Sequence, residues 1–228
     1  MDTRTRILEA AAGLLSRSAD ADVSTRAVCE AAGVTAPILY RQFGDKEGLL
    51  SAVVDYGFEQ YLASKRAAVP SDDPVRDLRS GWDNHVRFAV ENPNYYRLMY
   101  SPGLSVPPQA AAEAHRLLAE TVERVAGAGR LRVAPLTATQ MIMSANAGVA
   151  LSLISRPALY PDAAFSDRVR DAVVDAVTVE AAVHIPEPAE FSATAALLGA
   201  RLRENRPKVL TDPENALLQQ WLATLADQ

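Results

Sequence analysis

The chain of 228 residues has one cysteine, three histidines, and aromatics at only 6% of its residues. Cys29 has no intrachain partner, which excludes a disulfide scaffold and leads us to expect a reducing, cytoplasmic setting. His85, His115 and His184 fall on separate predicted helices without metal-ligand spacing, and the sequence has no glycine-rich phosphate loop and no nucleophile elbow. Neither metal, cofactor nor catalytic residue is therefore expected, and the chain reads as a non-enzyme. Cys29, on an alanine-rich helix, reads as a small core residue rather than a nucleophile.

Long apolar runs are also missing. The strongest, residues 141–154, is interrupted by Ser144, Asn146 and Ser152 and falls short of the roughly 20 residues of a membrane helix, so no membrane partner is expected. Residues 1–17 show helical spacing with an internal Glu9 and no cleavage site, so they are expected to serve as structure rather than as a signal peptide. An excess of basic charge is lacking as well. With 23 Lys+Arg against 28 Asp+Glu, the net charge of -5 gives no global footprint of a nucleic-acid binder.

What the chain does have is helical periodicity nearly throughout, and no alternating window long enough for a strand. The expected fold class is all-α, with ten or eleven helices and no internal repeat. Ile7, Leu8, Ala11, Leu14 and Leu15 share one helical face. Ser24 or Thr25 caps a second helix that Gly33 ends in a left-handed conformation. Thr35 caps a third helix to about Phe43, and Asp45 caps a fourth through Arg66. Asp73-Pro74 opens a fifth, which runs to residue 92. A short aromatic helix at 95–100 follows, closed by Pro102-Gly103, and further helices are predicted over 108–126, 136–155, 166–184, 189–205 and 213–226.

The informative stretch is residues 24–50, STRAVCEAAGVTAPILYRQFGDKEGLL. Two short helices joined by a four-residue turn with a glycine match a helix-turn-helix, which sets its second helix in the major groove of DNA. Val28, Ala31, Ala32, Val34, Leu39 and Phe43 have the spacing of contacts between these helices, leaving Thr35, Ala36, Pro37, Ile38, Tyr40, Arg41 and Gln42 to face outward.

In order, Thr25-Arg26, Ala31-Ala32-Gly33-Val34, Leu39-Tyr40, Phe43, Lys46-Glu47 and Leu49-Leu50 resemble the TetR family of bacterial transcriptional regulators. The resemblance covers roughly the first 55 residues. It implies an N-terminal three-helix DNA-binding domain over residues 1–50 and a helical effector-binding and dimerisation domain over 51–228. It also implies that Ser24, Thr25 and Arg26 contact phosphates, that Thr35, Ala36, Pro37 and Ile38 meet base edges, and that Tyr40, Arg41, Gln42 and Lys46 complete the DNA contacts, with Tyr40 and Lys46 on phosphate and Gln42 on phosphate or adenine. Ala36 and Ile38 stand where family members often carry Thr or Lys, so hydrogen bonding in the groove is sparse and Ile38 is left to pack on a thymine methyl. Residues 1–50 hold six basic and seven acidic side chains, but between Ala31 and Gly44 the only charge is Arg41.

The family further implies a homodimer on a palindromic or near-palindromic double-stranded operator, with half-sites roughly 34–36 Å apart or a multiple of that. Two apolar stripes are candidates for the dimer interface or for core: Val169, Ala172, Val173, Ala176, Val177 and Val183, and Leu218, Trp221, Leu222 and Leu225. Trp82, His85, Phe88, Tyr96, Met99, Tyr100, Met143 and Asn146 are candidates for a ligand pocket, and equally for core. The expectation is a cytoplasmic homodimeric repressor released from its operator by a small apolar or aromatic ligand, the change passing through the fourth helix. The alternative is a helical ligand-binding or adaptor protein that no longer binds DNA.

Overall fold

Among the described residues, eleven α-helices make up almost all the regular structure. The computed structural model describes residues 2–18, 21–100, 104, 108–180, 191–205 and 207–227. In order the helices are α1 (Thr3–Ser16), α2 (Thr25–Ala32), α3 (Ala36–Phe43), α4 (Lys46–Ala67), α5 (Pro74–Glu91), α6 (Pro93–Met99), α7 (Gln109–Gly127), α8 (Pro135–Ser155), α9 (Phe165–Val177), α10 (Phe191–Glu204) and α11 (Asp212–Ala226). The fold is all-α, as the periodicity predicts, and Met1–Ala181 and Ala182–Gln228 form two separate compact units.

The larger unit is built on two apolar clusters. In the first, Ile7, Ala11 and Leu15 of α1, Val28 of α2, and Leu39 and Phe43 of α3 close over Leu49, Leu50, Val53 and Val54 of α4, and the cluster continues through Phe58, Tyr61 and Leu62 to Tyr96, Leu98 and Met99 of α6. The second joins Val75, Leu78, Trp82 and Val86 of α5 to Val122 and Val125 of α7, Ile142 and Val149 of α8, and Val174 and Val177 of α9. Burying each such side chain contributes about 1.5–3 kcal/mol. A division between residues 50 and 51 falls inside α4, whose first half seats α1 to α3 and whose second half packs on α6 and α7.

Helix ends follow local chemistry with two departures from expectation. Asp45 Oδ1 accepts from Gly48 N at 2.7 Å, and Asp73 Oδ1 from Val75 N at 3.0 Å, the caps that their positions predict. Ser24 and Thr35 occupy cap positions, but neither side chain makes a cap bond. The helix expected to reach His184 stops at Val177. Thr178 is extended and bridges antiparallel to Leu131, while Arg132 N donates to Val177 O at 2.8 Å and Val179 N to Arg130 O at 3.0 Å. Pairing these backbone groups with a neighbouring segment satisfies them outside the helix, and the β-branched Thr178 and Val179 favour that extended form. Val183, His184 and Pro102-Gly103 lie outside the described residues.

The predicted stripe on α9 therefore divides. Val174 and Val177 are core, Val169 and Val173 pack half-buried against it, and Ala172 and Ala176 are exposed. In the smaller unit α10 and α11 pack on each other through Ala195, Gly199 and Leu222, and Trp221 remains 57% exposed.

Candidate nucleic-acid interface and effector cavity

Gly33 joins α2 to α3 at φ 62° and ψ 41°, the left-handed conformation that only glycine adopts without steric cost. Val34 N donates to Cys29 O at 3.0 Å across the turn. Leu39 and Phe43 point into the core, and this turns the other face of α3 outward. Ser24, Arg26, Thr35, Ala36, Pro37, Tyr40 and Arg41 are exposed together along the start of α2 and that face of α3. Thr25, Ile38 and Gln42 are half-buried rather than fully outward.

Lys46 is not a free cation. Its Nζ lies 2.7 Å from Asp22 Oδ1, and this bond holds the Asp22 carboxyl below its ordinary range. Arg4 is a member of this surface that sequence reasoning missed. Its guanidinium donates to Gln42 O at 2.9 Å and stacks over the Phe43 ring at 4.5 Å, clamping the end of α3 to α1. Thirty-eight residues separate Arg4 from Gln42, and no local pattern marks the pair. Gly48 was missed too: a methyl at its α-carbon would overlap the Phe43 carbonyl oxygen, so a glycine here lets α4 start directly against the end of α3.

Between α4, α5, α7 and α8 lies a cavity of about 520 Å³. Of the predicted pocket residues, Trp82, His85, Met143 and Asn146 line it, together with Leu78, Leu117, Leu118 and Ile142. Phe88, Tyr96, Met99 and Tyr100 do not line it. Phe88 packs on Phe58 and Tyr61 with ring centroids 4.4 and 4.6 Å away, Tyr96 and Met99 are buried in the first cluster, and Tyr100 packs half-buried against it, so these four side chains belong to the core. Asn146 Nδ2 donates to Trp82 O at 3.3 Å, tying α8 to α5.

His85 stands between the cavity and the core. Tyr61 Oη lies 3.0 Å from its Nδ1 and Tyr96 Oη 2.7 Å from its Nε2. Burial pushes the imidazole pKa down from 6.5 to about 3, so the ring is neutral, with one nitrogen donating and the other accepting. The ring thus joins α5 to α4 and α6. Two residues before Tyr96, Asn94 Nδ2 donates to Leu15 O and Ser18 O at the end of α1, both at 2.8 Å. Among the described residues, no group of three or more His, Cys, Asp and Glu is placed to hold a metal ion.

The sequence model for bacterial regulatory proteins of the tetR family matches residues 7–53, and that for the tetracyclin repressor-like C-terminal domain matches residues 78–202. Over 53 residues the chain is 47% identical to the HTH-type transcriptional regulatory protein RaaS of Mycobacterium tuberculosis; the match covers 23% of this chain and a quarter of that protein's length (25%). The fold resembles the transcriptional regulator FadR of Bacillus subtilis, solved with stearoyl-CoA, with a TM-score of 0.62 at 15% identity over 79% of this chain and 99% of that one. It also resembles RolR, solved with resorcinol, with a TM-score of 0.62 at 20% identity over 81% of this chain and 95% of that one. At such identities the likeness is one of fold. Two matched sequence models, one of them spanning more than half of the chain, and a helix-turn-helix turned outward by its own core lead to one conclusion: the chain belongs to the tetR family of bacterial transcriptional regulators.

Proposed function

We propose that this regulator is a homodimeric, cytoplasmic repressor that leaves a palindromic or near-palindromic operator when a small apolar or aromatic ligand enters the cavity. Residues 1–50 read the DNA and 51–228 bind the effector and the second subunit. The observation that carries the reading is the outward face of α3, with Thr35, Ala36, Pro37, Tyr40 and Arg41 exposed while Leu39 and Phe43 are held in the core. In this reading Thr35 to Ile38 meet base edges, with Ile38 on a thymine methyl, while Ser24, Thr25, Arg26, Tyr40, Arg41 and Lys46 hold the backbone and Gln42 bonds a phosphate or an adenine. Phosphate contacts of this kind carry most of the affinity.

The cavity's apolar wall of Leu78, Trp82, Leu117 and Ile142 supports an effector with an apolar or aromatic body, and two fold neighbours were solved with stearoyl-CoA, which carries a long apolar acyl chain, and with resorcinol, an aromatic ring. A ligand that displaces His85 acts on Tyr61 of α4 and Tyr96 of α6. These helices support α3 and the end of α1 respectively, so binding to one conformation shifts the population of the other. Exposed Leu197, Leu198, Leu217 and Trp221 give the second unit an apolar surface suited to a second copy of the chain.

The test is fluorescence anisotropy with DNA from the region upstream of the protein's own gene. Tyr40→Phe and Lys46→Ala are each expected to weaken binding. Binding untouched by both overturns this interface, and binding to no genomic fragment favours the adaptor reading.

A further inference from the structure

Five charged side chains line the cavity, and four are already neutralised. Arg66 pairs with Glu59 at 3.1 Å and Glu113 at 3.0 Å, Arg124 pairs with Asp77 at 2.7 Å, and Glu120 pairs with Arg116. Lys65 has no ion pair among the described residues, and its Nζ lies 5.0 Å from the centroid of the Tyr61 ring. Burial costs this ammonium part of its hydration and lowers its pKa to about 8. The lining carboxylates, Asp77 and Glu120, are each held by an arginine, so a lysine without its own carboxylate partner, beside the apolar wall of the cavity, attracts an anion that brings its own apolar body.

We propose that the effector is an amphipathic organic anion, a carboxylate, sulfonate or phenolate on an apolar or aromatic frame, whose charged end binds the Lys65 ammonium while its body lies against Leu78, Trp82 and Ile142. The proposal rests on the reading of the cavity as the effector site. A neutral ligand of the same shape fills the same wall and leaves Lys65 unpaired, so the cation selects between the two.

Two fluorescent probes separate these statements: the anionic dye anilinonaphthalene sulfonate and its uncharged parent phenylnaphthylamine, each titrated into the full chain. Three proteins are compared: the wild type, Lys65→Met, and Met143→Trp, which fills the cavity. The expected result is that Met143→Trp weakens both dyes, while Lys65→Met weakens the sulfonate by about tenfold or more, the size of a lost charge-assisted bond, and leaves the neutral dye unchanged. If Met143→Trp weakens both dyes but Lys65→Met leaves the sulfonate unchanged, or weakens both dyes equally, the anion proposal is overturned and the cavity stands. If Met143→Trp affects neither dye, the cavity is not their site, and the effector reading fails together with the proposal.

Discussion

Asp22 and Lys46, 24 residues apart in the chain, meet at 2.7 Å beside the proposed DNA face, so the cation expected to clamp a phosphate already holds a carboxylate. Both side chains are about half exposed. The pair therefore contributes little stability, within about 1 kcal/mol, but it competes with DNA for the same ammonium. Asp22→Asn is expected to tighten operator binding and to steepen the salt dependence by about one phosphate contact, a slope change near 0.9 in log-log form. Anisotropy titrations across a salt series measure both. An unchanged slope would mean that Lys46 does not reach a phosphate.

Gly33→Ala tests the turn. A methyl there meets no atom within 4 Å, so the cost is that of the left-handed backbone alone. We expect a loss of about 1–2 kcal/mol, a fall in Tm of roughly 2–8 °C for a chain of this size, and weaker DNA binding. Calorimetry reads the first two.

The buried imidazole makes stability depend on pH with a definite sign. His85 has a folded pKa of about 3 against 6.5 unfolded, so below pH 6.5 the unfolded chain takes up a proton that the folded one does not. The stability tied to this group is fully present above pH 6.5 and declines as pH falls toward 3. At pH 5.5 the loss is about 1.4 kcal/mol. Denaturant unfolding of the wild type and His85→Gln at pH 7.5 and 5.5 is expected to show the wild type losing about that much more than the variant. Equal losses would place the protonation elsewhere.

Asn94→Ala removes the two bonds from α6 to the end of α1. A loss of about 1–3 kcal/mol is expected, together with faster amide exchange in the last turn of α1. Exchange unchanged at α1 would show that α6 does not hold it.

The exposed Trp221 tests the proposed assembly. A charge on an apolar interface costs far more than one on a free surface, so Trp221→Glu is expected to shift sedimentation from dimer toward monomer, with the helicity of the chain retained. Ala172→Glu, on the exposed face of α9, serves as the comparison. If only that variant dissociates the protein, the interface lies on α9.

The helices and the helix-turn-helix were legible in the sequence because their causes are local. Apolar spacing, Asp45 and Asp73 at caps, and a glycine at the turn act within a few residues of where they stand. The length of α9 was not legible, since the pairing of Thr178 with Leu131 comes from a segment 47 residues earlier. Nor was the state of Lys46, which depends on a carboxylate across the fold. Trp82, His85, Phe88, Tyr96 and Met143 look alike as sequence, because the same aromatic and sulfur-bearing residues fill cores and line pockets. Only packing separates them: it sets Phe88 on the α4 rings and buries Tyr96 in the first cluster, whereas Trp82, itself part of the second cluster, lines the cavity with His85 and Met143. The scarcity of basic charge is the sequence's own doing, and composition gives its total. Tertiary structure decides where the few cations act, because a charge is set by its nearest partners, and those are brought together by folding.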